Sequence, residues 1–167
     1  MTSSAVQPAQ PRPSVAADDH TARADQLRAA NINPRTGLAT DYLNHFNEAV
    51  MLLEMVPDIP ECAEDFLGWQ PRSYAEHFTA SNFKARDLAI ESYNSADVRI
   101  RTEFDNMTSA ITSILTAVGA AMREATQDKT RARLAEQATG WVKPLVTQAG
   151  GVINGDGAAD VDYIMAN

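Results

Sequence analysis

The sequence predicts an all-α fold, an antiparallel helical bundle of four or five main helices with a disordered N-terminal arm and a flexible C-terminal tail. Apolar residues recur at steps of three and four through several long stretches, the spacing that lines one face of a helix. No run alternates apolar and polar residues between hairpin signals. The periodic stretches break at Asn33-Pro34, at Pro57 and Pro60, at Asn94-Ser95 and at Gly150-Gly151, all residues that favour helix ends.

Residues 1–17 form the arm. The first 16 hold three of the chain's eight prolines among Ser, Ala and Gln, with almost nothing to bury. A first helix over 19–30, capped by Asp18 or Asp19, presents only Ala22, Leu27 and Ala30 as an apolar strip, and residues 31–37 are a loop. A second helix over 38–55 is apolar around about half its circumference, with Met51 and Met55 outside that arc. Pro57 stops it. Pro60 opens a short helix to Phe66 or Leu67, with Glu61, Glu64 and Asp65 near its positive end.

Ser73-Tyr74-Ala75-Glu76 has the spacing of a capping box, in which the Ser and Glu side chains satisfy each other's backbone amides. The helix it starts runs to about Tyr93. A central helix over 99–122 comes next, capped by Ser95 or Asp97. Its stripe is Ile100, Phe104, Met107, Ile111, Ile114, Val118 and Met122, and no charged residue falls between Asp105 and Arg123. Thr108, Ser109, Thr112, Ser113 and Thr116 stand where a wet helix carries charges, so this helix is expected to be covered on more than one side. The last helix, over 128–148, buries Leu134, Ala138, Trp141, Leu145 and Gln148 and kinks at Pro144. Gly150-Gly151 ends it. The bundle domain is thus 18–150, and 151–167 is an acidic, apolar tail.

A net charge of −8 and a pI near 4.8 argue against nucleic acid, which needs a basic footprint. Residues 37–71 hold seven acids (Asp41, Glu48, Glu54, Asp58, Glu61, Glu64, Asp65) and no Lys or Arg. Arg123, Lys129, Arg131 and Arg133 form a basic counterweight. Either acidic and basic helices face each other across the bundle, or the acids are a docking surface for a basic partner. The lone Cys62 cannot make an internal disulfide and favours a reducing compartment. With no basic-then-apolar leader and no apolar run of membrane length, a cytoplasmic protein without membrane contact is expected.

The sharpest cluster of chemistry is Asp41, His45 and Glu48, spaced i, i+4, i+7, with His77 on the next long helix. If those helices pack together, His45, Glu48 and His77 form a set for zinc or iron. The plainer reading makes His45 a rim residue hydrogen-bonded to Asp41 or Glu48. A ferritin-like dinuclear site is excluded, because the chain has no Glu-x-x-His and no carboxylate over 106–122. No G-x-S-x-G elbow, P-loop or EF-hand loop is present, and a phosphorylated His45 would need an exposure that its apolar helix denies it.

The function expected is therefore that of a non-enzymatic interaction or regulatory protein, leaning away from enzyme. It would bind a protein partner through its bundle surface or its tail, whose Val161, Ile164 and Met165 form one helical face for a partner's groove, or else fold back over the core. The Thr/Ser face of the central helix would be filled by the chain's own helices or by a second copy in a homodimer. The alternatives are a metal-dependent bundle using His45, Glu48 and His77, or a bundle holding a small apolar ligand near Met51 and Met55.

Overall fold

The computed structural model describes residues 15–155; Val161, Ile164 and Met165 lie outside them. The described chain is all-α. It forms α1 (Val15–Ala29), a 3-10 turn (Thr40–Tyr42), α2 (Leu43–Met55), α3 (Cys62–Leu67), α4 (Tyr74–Ala80), α5 (Arg86–Asn94), α6 (Val98–Glu124) and α7 (Asp128–Ile153). Its one β-type pairing is an isolated bridge between Ile32 and Ala39. No helix among the described residues is long and apolar enough to cross a membrane.

The spine is the α6–α7 hairpin, joined by residues 125–127, a link too short for anything but antiparallel neighbours. Arg131 locks the turn by donating from Nε to the Met122 and Ala125 carbonyls at 3.0 and 2.9 Å. These are two acceptors that the end of α6 leaves open. α2 lies across α7, α3 bridges α2 and α6, and α4 pairs with α5. The core between them is filled by Phe46, Leu53, Phe78, Phe104, Ile111, Leu115 and Met122, all essentially without solvent exposure.

Several expectations need correction. The predicted arm gives way to helix earlier, since α1 begins at Val15. Ala16 and Ala17 are good helix formers, and Asp18 then sits in the first turn, where a negative charge is favoured, rather than capping it. The single helix expected over 73–93 is two. α4 starts at the capping box, with both bonds between Ser73 and Glu76 at 3.1 Å. It stops when Ser81 turns extended and its hydroxyl bonds the Phe78 carbonyl and the Phe83 amide. That is the local competition through which serine breaks helices.

α7 differs in register and in length. Its buried ridge is Ala135, Ala138, Val142, Ala149 and Val152, while Leu134 and Leu145 are half-buried and Gln148 and Trp141 are exposed, Trp141 at 56%. Both α6 and α2 press on α7, and small side chains let two neighbours approach one face. The helix also runs unbroken through Pro144 and past Gly150-Gly151 to Ile153. Burial of Val152 and Ile153, together with a 2.6 Å bond from the Thr36 hydroxyl to the Ile153 carbonyl, outweighs the roughly 1 kcal/mol that each helical glycine costs.

The central helix is not enclosed. Ser109, Ser113 and Thr116 are exposed, Thr112 is half-buried, and of that row only Thr108 is buried. α6 packs through one side alone, and Leu115 joins the stripe there. The Thr108 and Thr112 hydroxyls turn back to the Asp105 and Thr108 carbonyls, so the helix meets part of its polar demand internally. The acidic segment does face basic residues, at Glu54–Lys143 (2.8 Å) and Glu64–Arg131 (2.9 Å). Glu48, Asp58, Glu61 and Asp65 stay exposed.

Candidate functional site

The two histidines meet because two local signals place them. The 3-10 turn before α2 sets Asp41 and Tyr42 one turn ahead of His45, and the capping box of α4 fixes Tyr74 and His77 opposite. The imidazole rings lie 6.2 Å apart between centroids. Asp41 Oδ2 is 2.9 Å from His77 Nε2, so the carboxylate expected to hold His45 holds His77 instead.

His45 is 5% exposed and accepts the backbone N–H of Arg72 at Nε2, 3.0 Å away. Burial, with His77 and Arg72 adding their repulsion, pushes its pKa down from 6.5 to about 4. It is therefore neutral at pH 7, with its Nε2 lone pair committed to that amide. Trp69 stacks on the ring at 4.6 Å and donates its indole N–H to the His45 carbonyl at 3.0 Å. The imidazole works as a clamp, tying residues 69–72 to α2.

Three tyrosines extend this network. Tyr42 donates to the Arg72 carbonyl at 2.6 Å, Tyr74 accepts the Ala39 amide at 3.0 Å, and Tyr93 donates to Asp105 Oδ1 at 2.6 Å. Burial raises all three hydroxyl pKa values, Tyr42 to about 12, so all three are protonated at neutral pH. None is tuned near neutrality as an acid–base catalyst needs to be.

Glu48 does not join the histidines. It is exposed, and among the described residues no three His, Cys, Asp or Glu side chains are placed to share a metal ion. Cys62 is buried and free.

Three surface features stand out among the described residues. A cleft of about 610 Å³ lies between the start of α4 and the Ser/Thr face of α6, with Tyr42, Tyr74 and Asp105 inside and Arg72, Ser109 and Ser113 along it. The uncharged row of α6 was its only trace in the sequence. A second hollow, of about 390 Å³, lies between α6 and α7. It is lined by Ile114, Ala117, Val118, Ala121, Leu134 and Trp141 with Ser113 and Gln137, none of them charged. On the outer side of α2 stand Met51, Met55 and Ile59, 56%, 38% and 45% exposed. The two methionines fall where the helical periodicity puts them. Comparison with known proteins finds no family model, no curated protein and no solved structure that matches this chain.

Proposed function

We propose that this chain is a non-enzymatic interaction protein that docks a protein partner on the surface of its bundle. The supporting observation is Trp141, more than half exposed at the edge of an uncharged hollow between two long helices. A large aromatic side chain beside an apolar groove is the usual anchor of a protein interface. A groove between two packed helices accepts an apolar face of a third. The partner's contact face is accordingly helical and uncharged, since nothing lining the hollow would repay a buried charge. The polar network around His45 supports the same reading, because its groups are occupied in holding loops together.

A photo-crosslinking amino acid at position 141, introduced in the cell that makes the protein, tests this. The expected product is a crosslink to another protein, whose purified form binds the wild type and binds Trp141→Ser at least tenfold more weakly. Crosslinks confined to the chain's own residues 156–167 or to a second copy, or an unchanged affinity in the serine variant, would overturn it.

The metal-binding reading of His45, Glu48 and His77 keeps one observation in its favour, the closeness of the two imidazoles, with Glu48 standing apart from them. Elemental analysis of protein purified without an affinity metal decides that reading. Metal-free protein that zinc and iron do not stabilise ends it.

A further inference from the structure

We infer that the outer face of α2 is a second docking surface, and that its occupant is a basic amphipathic helical segment of a partner protein. This rests on the reading of the chain as an interaction protein and names the chemistry of a partner. Met51, Met55 and Ile59 succeed one another at four-residue steps. α2 ends at Met55, and a single turn, closed by the Ile59 amide on the Met55 carbonyl at 2.8 Å, carries the chain on to the exposed Ile59. The opposite face is spent on the core through Phe46, Ala49, Leu53 and Val56. Methionine is the apolar side chain best able to reshape itself around a partner.

The charge beside the ridge selects the partner. Glu48, Asp58 and Glu61 are exposed, and none of them forms an ion pair with a described residue. Glu54 is already held by Lys143. The segment 37–71 contains no Lys or Arg of its own, and two cations that reach it, Lys143 and Arg131, are held by Glu54 and Glu64. An apolar ridge with carboxylates alongside is complementary to a helix that carries Lys or Arg beside its own apolar stripe. The same charge turns away the other occupants. A membrane surface and a nucleic acid are both anionic, and a second copy would set acid against acid. The chain's own residues 156–167 carry Asp156, Asp160 and Asp162 with no basic residue.

The test titrates the full chain with three labelled synthetic peptides: a Leu/Lys amphipathic helix, a scrambled peptide of the same composition, and a Leu/Glu helix. The Leu/Lys helix is expected to bind, to weaken steeply from 50 to about 300 mM salt, and to bind at least tenfold better than either control. Met51→Ser with Met55→Ser, and separately Glu48→Gln with Asp58→Asn and Glu61→Gln, each weaken it at least tenfold while circular dichroism shows the fold kept. Trp141→Ser leaves it unchanged. No preference for the amphipathic peptide, or equal binding by the methionine variant, would overturn the inference. Those outcomes leave a partner crosslinked at position 141 standing, so the two proposals fail separately.

Discussion

His45 is the residue on which sequence and structure part most clearly. Its spacing from Asp41 and Glu48 was legible, and so was its approach to His77. Its true partner, the Arg72 amide 27 positions away, was not, because backbone donors leave no trace in residue identity. The depressed pKa has a consequence for stability. The unfolded chain takes up a proton near pH 6.5 and the folded one only near 4. Stability is therefore full above about 6.5 and falls as pH drops through that window, by up to about 3 kcal/mol. His45→Gln, whose amide oxygen can replace Nε2 as acceptor, should lose that part of the pH dependence. Denaturant unfolding of both proteins at pH 7 and pH 4.5 measures it, and parallel losses would show that His45 is not the group responsible.

Gly37 gives a second prediction at the same scale. Its φ is +74°, and a Cβ there would stand 2.7 Å from the Ser92 carbonyl oxygen, while the Ser92 hydroxyl donates to the Gly37 carbonyl at 2.8 Å. Gly37→Ala should cost about 2–4 kcal/mol through left-handed strain and a backbone clash together. Thermal unfolding of the variant checks this.

Among the elements, the helices with strong local signals were readable. The capping box, the length of α6 and the stop at Pro57 all came through. The misread ends were settled by tertiary packing. Gly150-Gly151 reads as a stop until Val152 and Ile153 find a place in the core. α7 was read one register off because Leu134, Trp141 and Leu145 are the bulkier residues, whereas two neighbouring helices select the alanines. Ala135→Leu at the zero-exposure ridge, a position outside the strip read from sequence, should accordingly destabilise by about 1–3 kcal/mol through overpacking. Trp141→Ser should shift stability by less than about 1 kcal/mol, because an exposed side chain contributes little. Chemical denaturation of the pair ranks the two registers: the register read from sequence requires the opposite order.

In the whole molecule, composition indicated the class and packing determined what remains outside. The all-α bundle and the facing of acidic and basic segments at Glu54–Lys143 and Glu64–Arg131 were both in reach of the sequence. The enclosure of α6 was not. A charge-free row looks the same whether a neighbour covers it or a cleft opens beside it. The molecule divides its labour between inside and outside. The interior polar groups fasten loops to helices, and the surface leaves Trp141 and the α2 methionines exposed, where docking is proposed.

The affinity of the partner captured at position 141, measured by isothermal titration against wild type, Trp141→Ser and His45→Gln at pH 7, tests that division most directly. At least tenfold weaker binding by the serine variant, with the glutamine variant matching wild type, is the expected result. Full affinity in the serine variant, or its loss in the glutamine variant while that protein stays folded, would contradict it.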